Sequence, residues 1–254
     1  MIKSIVMHVI DGSNIAPMER WYYKHHSAEI ARRYGPWIQR YESWLPVQTP
    51  KEAQEYGWFN WRFTQIYWRD LPERGAKGEY AFTPPPYWLK RVASTFIPGQ
   101  CSDDFKGDQL LSNEKYVLRW VQFIRYPEGV NKEKAEEWYV NTFAKEACQH
   151  EKMYRFFSSK TIVGLGGLPG VWRDCDKPFL KGGKDLQWDR ISEMWFETFE
   201  DWRNFVITNP PVYTIPEWAE TNKFPFLKLG EDFISTFLLE QPNNDFIAEK
   251  RIYL

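Results

Sequence analysis

Residues 19–44 read ERWYYKHHSAEIARRYGPWIQRYESW. The stretch divides into a helix, a stop and a strand. Met18, Trp21, Tyr22, His25, Ala28 and Glu29 keep the roughly 3.6-residue spacing of one helix face, and Tyr22, His26 and Ile30 form an adjacent stripe. Arg20, Lys24, Ser27 and Ala31 lie opposite and should face water. Gly35-Pro36 ends the helix, because Gly tolerates the C-cap conformation and Pro cannot continue it. Trp37 to Val47 then reads as a strand, which brings Tyr41 back toward Tyr22, His25 and His26.

Working outward, Ile2 to Ile10 is a first strand, rich in Ile and Val and bounded by Asp11-Gly12. Ser13 or Asn14 can cap the helix, with Pro17 in its first turn. Asn60 to Arg69 is a third strand, with Phe63, Gln65 and Tyr67 on one face and Thr64, Ile66 and Trp68 on the other. A Pro-rich loop, FTPPPYW at 82–88, precedes a short strand from Ser94 to Ile97.

The pattern then restarts. Tyr116 to Ile124 is a strand, and Lys132 to about Lys152 a helix whose Trp138-Tyr139 answers Trp21-Tyr22. Met153 to Val163 holds the next strand. RISEMWFE at 190–197 answers RFTQIYWR at 62–69, both opening on Arg and alternating, 128 residues apart. Pro210-Pro211-Val212-Tyr213 stands against Pro85-Pro86-Tyr87, and Ser235-Thr236-Phe237-Leu238 repeats Ser94-Thr95-Phe96-Ile97. Matches in one order point to internal duplication. The join falls in the polar segment Cys101 to Glu114, so the halves are expected at 1–108 and 115–254. Each reads β-α-β-β-α-β, the ferredoxin-like order, with a short or irregular second helix; Glu200 to Ile207 supplies it in the C-terminal half. Helices cover one face of such a sheet, and a tandem copy can cover the other. The expected class is α+β, with two ferredoxin-like units packed as an intramolecular pseudo-dimer.

Composition narrows the function. The net charge of -1 gives no field that would draw nucleic acid or an anionic membrane surface. Fourteen Trp, 14 Tyr and 18 Phe can build a large core or wall a pocket for a flat apolar molecule. Cys101, Cys148 and Cys175 are odd in number and lack metal spacing, which fits a reducing compartment. No run reaches the length of a membrane span, and the first residues do not resemble a secretory leader, so a cytoplasmic protein is expected.

Candidate chemistry centres on the histidines. His26 has an ordinary pKa of about 6.5, suited to a general base near neutrality. Tyr41, with an ordinary pKa of about 10, stays protonated and can donate to a carbonyl or enolate oxygen; it can equally be a packed Tyr with a satisfied hydroxyl. His25 is one helix step from His26, so only one of them points squarely at a given pocket. His8 sits in an apolar strand, either as a core residue with a partner or lining the site, with Phe123 as its counterpart. The Gly164–Gly170 run lacks the spacing of a phosphate loop and reads as a loop or lid. His26 and Glu29 offer only two metal ligands, so no metal is expected. Cys148 and His150, two apart on a helix, cannot face each other.

An aromatic pair ahead of a helix His (Trp21-Tyr22, then His26), a Gly-Pro turn, a strand bearing Arg40-Tyr41 and the repeated closing strands resemble the EthD-like branch of the dimeric α+β barrel proteins. The resemblance covers nearly the whole chain. It implies an intramolecular dimeric α+β barrel. It also implies a cofactor-independent enzyme of isomerase, cyclase or lyase type, acting on a small cyclic or aromatic carbonyl compound. His26 and Tyr41 would act at the pocket, with His8 or His25 assisting and Trp21, Tyr22, Trp37, Trp44, Tyr67 and Trp68 as walls. The implied partner is a small apolar or aromatic substrate, with no cofactor, and the chain would act as a pseudo-dimeric monomer or a homodimer. Cofactor-free monooxygenation of phenols, or non-catalytic binding of a small molecule, are the alternatives. Phe143 and Phe156 stand where the second copy would need His and Tyr, which implies a degenerate, structural C-terminal half.

Overall fold

The computed structural model describes residues 1–10, 12–57, 59–70, 86, 88–107, 117–163, 187–219, 221–239 and 241–248. The expected loop at 164–170, Cys175 and most of the Pro-rich stretch 82–88 lie outside them.

Two five-stranded antiparallel sheets form the molecule. The first contains β1 (Ile2–Ile10), β2 (Ile38–Trp44), β3 (Arg62–Trp68) and β4 (Leu89–Pro98) in the order β2-β3-β1-β4. The second contains β6 (Leu118–Ile124), β7 (Arg155–Lys160), β8 (Arg190–Phe196) and β9 (Phe233–Leu239) in the matching order β7-β8-β6-β9. The fold is α+β, with two tandem ferredoxin-like units.

Each sheet is completed by the other half of the chain. The short β5 (Asp103–Lys106) follows the N-terminal unit but pairs with β7, while β10 (Asn244–Asp245) follows the C-terminal unit and pairs with β2. Sheet membership therefore crosses the boundaries expected at 108 and 115. The two exchanged edges stitch the units together, as does the bond from Ile162 N–H to the Phe96 carbonyl (2.8 Å).

Alternation along the strands fixes what faces what. Ile5, Met7, Val9, Phe63, Val121, Phe123, Ile191, Ile234 and Leu238 meet between the sheets as a continuous buried layer. The opposite faces carry the helices. Over the first sheet lie α1 (Ile15–Trp21), a π-helical turn Tyr22–His26 and α2 (Ser27–Tyr34). Over the second lie α3 (Lys132–Trp138), a π-helical turn Tyr139–Phe143 and α4 (Ala144–Ala147). Asn131 caps α3 by accepting from the N–H groups of Glu133 and Lys134. A last helix, α5 (Phe199–Arg203), continues into a π-helical turn Asn204–Thr208 and fills the expected second-helix place in the C-terminal unit.

Three local expectations need correction. The helix expected to reach Lys152 ends at Ala147, because His150 turns inward and donates from Nε2 to the Asn209 carbonyl (3.1 Å). The closing strand expected at 94–97 runs over Leu89–Pro98, held along the length of β1. Ser27, expected to face water, is buried. The wide π turn carries the Ser27 N–H to the Tyr22 carbonyl and thereby rotates the following face inward. The Ser27 hydroxyl donates to the same carbonyl at 2.9 Å.

Candidate functional site

The residues that converge lie between the first sheet and its helix. β1 presents His8 to this layer, β2 presents Tyr41, and the π turn presents Tyr22 and His26. Tyr22 is the hub. Its hydroxyl is 3.1 Å from the Tyr41 hydroxyl and 2.9 Å from Thr64 Oγ1. Its ring lies 5.2 Å from the His26 ring and 6.1 Å from the His8 ring, centre to centre. Trp21 also stacks on His26, at 5.2 Å.

Burial sets the protonation states. His8 is enclosed, and burial, with the neighbouring charges of His26 and Arg62, pushes its pKa down to about 3. Its Nδ1 lies 3.1 Å from the Arg62 carbonyl, which can only accept, so Nδ1 carries the proton and Nε2 keeps the lone pair. Burial takes His26 down to about 4 against the opposing pull of Glu29. Both imidazoles are neutral at pH 7. Tyr41 moves well above its ordinary value, through burial first and then the Tyr22 hydroxyl, and stays protonated.

Beneath the hub is an ionic support. Arg62, with no exposed side-chain surface, binds Glu19 through Nε (3.1 Å) and Nη2 and donates from Nη1 to Ser43 Oγ (2.7 Å). Burial opposes its charge, but the bonds to Glu19 and the neighbouring Tyr22 and Tyr23 together outweigh it and raise its pKa. The second copy repeats this. Arg190 binds Glu136 (2.7 Å) and Ser158 (2.8 Å), and Tyr139 bonds Ser192 at 2.5 Å. The sequence carried a signal for the pair, since Arg opens both matching strands and Glu precedes both Trp-Tyr pairs with one residue between.

Strand register identifies what is not repeated. Tyr41 pairs with Ile66 as Phe156 pairs with Met194, and His26 ends its π turn as Phe143 ends the other. His8 pairs with Arg62 as Ile124 pairs with Arg190, so the counterpart of His8 is Ile124 and not Phe123. Phe123 answers Met7 on the opposite face. Trp138 Nε1–H, in exposed surroundings, donates to the Thr214 carbonyl at 2.8 Å, whereas the buried Trp21 Nε1–H meets no acceptor among the described residues.

The other nominated residues lie elsewhere. His25 is exposed on the helix surface, and Trp37 is 39% exposed. Trp44 belongs to the layer between the sheets. Tyr67 shares that inner face, with its hydroxyl donating to Gln65 Oε1 (2.9 Å) and Lys3 Nζ 5.1 Å from its ring. Trp68 is on the correct face but packs under Tyr34 and donates to Ser4 Oγ (3.0 Å), away from the hub. Phe246, which no local pattern marks, comes from the end of the C-terminal unit and packs on Tyr41 (5.0 Å) and Tyr22 (5.7 Å). A crevice lies in the half expected to be structural, lined in part by Gln122, Tyr139 and Phe143. Among the described residues, no three or more His, Cys, Asp or Glu side chains gather as a metal site, and no helix is long and apolar enough to cross a membrane.

The family described as "Chalcone isomerase N-terminal domain" matches residues 1–83, about a third of the chain. Every nominated site residue falls within that span. No curated protein matches the chain. Among solved structures, an anthrone oxidase-like protein matches with a TM-score of 0.53 and 10% identity, over 96% of this chain and 91% of that one. Chlorite dismutase from Candidatus Nitrospira defluvii, in complex with imidazole, matches at 0.42 and 11%, over 98% and 94%. The fold of this chain is the dimeric α+β barrel, closed within a single polypeptide.

Proposed function

We propose that the N-terminal half is the active half of a cofactor-independent acid/base enzyme of isomerase type, acting on a small cyclic or aromatic carbonyl compound. The observation that carries the reading is the buried Trp21 Nε1–H beside His26, which has no hydrogen-bond partner among the described residues, where the equivalent Trp138 N–H has one. A buried donor without an acceptor is costly, and a substrate oxygen would supply the acceptor. Tyr41 would be the second donor, releasing Tyr22 as substrate oxygen arrives.

In this reading His26 takes the proton next to the carbonyl while Trp21 and Tyr41 hold the oxygen as it gains charge. An imidazole lowered to about 4 is a weaker base than a free one, so the donors to the oxygen must supply more of the stabilisation, and its imidazolium gives the proton back readily. Return of the proton to a different carbon is isomerisation. The match of residues 1–83 to the chalcone isomerase N-terminal domain supports this class. The burial of His8 and its bond to the Arg62 carbonyl favour a second reading, in which the histidines are structural and the chain binds the same kind of molecule without catalysis.

The test is turnover of lactones, ring enones and a chalcone in deuterated water, with deuterium incorporation beside the carbonyl as readout. His26→Ala should lower the rate by about 10²- to 10⁴-fold and Tyr41→Phe by about 10²- to 10³-fold, with folding retained. Substrate binding without deuterium exchange in the wild type would leave the binding reading. Oxygen uptake would move the assignment to monooxygenation. Near-normal rates in both variants would end the assignment of His26 and Tyr41.

A further inference from the structure

The two edge strands that cross between the units match each other. β5 opens Asp103-Asp104-Phe105, and β10 leads into Phe246 as Asn244-Asp245-Phe246. Register agrees, since Asp103 pairs with Ser158 as Asn244 pairs with Ser43. Each strap lays a phenylalanine on the tyrosine side of the opposite unit. Phe105 packs on Phe156 (4.9 Å) and Tyr139 (6.4 Å), as Phe246 packs on Tyr41 (5.0 Å) and Tyr22 (5.7 Å).

The fastenings differ. β5 is held by Asp103 to Arg190 (2.5 Å), by Asp104 to Arg155 (3.0 Å), and by Lys106 Nζ donating to the His150 carbonyl (2.7 Å). Among the described residues, β10 takes part in no ion pair. Asn244 replaces Asp103 and is neutral, so it offers Arg62 no counter-charge; its Oδ1 accepts from the Tyr23 hydroxyl at the surface (2.5 Å). Arg40 holds the register position of Arg155, but it binds Glu42, where the other copy has Phe157. Glu42 is also the residue directly across from Asp245. Like charges opposed across an antiparallel pair are destabilising. Asp245 Oδ1 turns to backbone N–H groups of its own strap, those of Ile247 (3.1 Å) and Ala248 (3.2 Å).

Beneath this weakly fastened strap the candidate site is closed. Tyr22 and Tyr41 expose no surface, whereas His26 retains some. Phe246 is the cover on Tyr41 that can move without displacing the helix or the inner strands. We propose that residues 243–248 form a gate over the candidate site. The strap lifts from β2 to uncover Tyr41 and Tyr22 and closes again over a bound molecule, while β5 stays fastened over the other copy. The role of the gate rests on the N-terminal half being the active half; its motion does not.

Hydrogen exchange of the full chain, followed by peptide mass spectrometry, tests the motion without a ligand. The 243–248 amides should exchange at least about tenfold faster than those of β5, because the strap opens locally and β5 opens only with its unit. Asn244→Asp supplies the charge that Asp103 has and should slow the 243–248 amides about tenfold, the scale of one hydrogen bond between charged groups. A second variant locks the strap outright: Glu42→Cys with Asp245→Cys places a disulfide between residues that face each other across the pair. Oxidation should slow 243–248 exchange and lower deuterium incorporation into the carbonyl compounds named above at least about tenfold, and reduction should restore both. Equal exchange of the two straps, exchange that neither variant slows, or incorporation unchanged by the lock would overturn the gate. If the wild type incorporates no deuterium, the proposed catalysis falls, and the exchange rates still decide whether the strap opens.

Discussion

The Arg62 guanidinium lies over the ring of Tyr22, 4.5 Å from its centre. Arg190 lies over Tyr139 in the same way at 4.8 Å. A cation set against an aromatic face and held from below by a carboxylate fixes the tyrosine at the start of each π turn. Because both copies keep the arrangement while only one keeps His26 and Tyr41, the arginines are read as supports.

Removing either support should therefore cost stability to a similar degree. Arg62→Ala leaves Glu19 with only the Trp61 N–H, and Arg190→Ala leaves Asp103 without this cation and Glu136 with Lys160 and the Tyr126 hydroxyl, each in partly buried surroundings. Breaking a buried pair from one side costs about 3–5 kcal/mol, and the partial exposure of the carboxylates places these variants toward the lower end. Urea unfolding is the measurement. A loss below about 1 kcal/mol for Arg62→Ala would show that the pair is not structural.

The neutral histidines make stability depend on pH. His8 and His26 have folded pKa values of about 3 and about 4, against an ordinary 6.5. Between roughly pH 4 and 6.5 the unfolded chain binds protons that the folded chain refuses. Stability is therefore fully present above the unfolded pKa and falls as pH drops through this window. Each histidine adds a slope of up to about 1.4 kcal/mol per pH unit. The double variant His8→Ile with His26→Phe, which installs the residues of the other copy, should flatten the acid limb of a Tm-against-pH curve. Parallel curves for variant and wild type would show that these groups do not titrate as buried neutral imidazoles.

Much of this architecture was legible in sequence because alternation and repetition are local. The faces of β3 follow from Arg62 to Trp68 alone, and the repeated Arg marked β3 and β8 as matching strands. Three features were not legible, each for a physical reason. β5 and β10 are short and polar, so nothing in Asp103–Lys106 or Asn244–Asp245 announces pairing with the opposite unit. The π turn adds one residue to a helical turn, which buried Ser27 and left His25 exposed without any change in composition. The counterpart of His8 was misplaced by one residue, and in a strand a one-residue slip exchanges the two faces. Among the candidate residues, Tyr22 read as a wall and lies at the hub of the cluster, since contact from a helical turn with three strands is a tertiary property.

Phe246 tests the exchanged edge and the site together. It is buried, and its backbone N–H donates to the Tyr41 carbonyl at 2.9 Å. Its ring covers Tyr22 and Tyr41 from a segment that belongs, in sequence, to the other unit. Phe246→Ala leaves that backbone bond in place and removes only the cover. The expected loss is about 3–5 kcal/mol in urea unfolding, the cost of deleting a buried aromatic ring and leaving a cavity. Phe246→Leu should recover much of it by refilling the volume. The cavity would open beside the Tyr22–Tyr41 hydroxyl pair, so amide exchange of β2 at Tyr41 should quicken while that of β7 at Phe156 does not. Equal acceleration at both positions would mean that the units lose stability as one body. No acceleration at Tyr41, with stability retained, would show that Phe246 does not hold the edge of the N-terminal sheet.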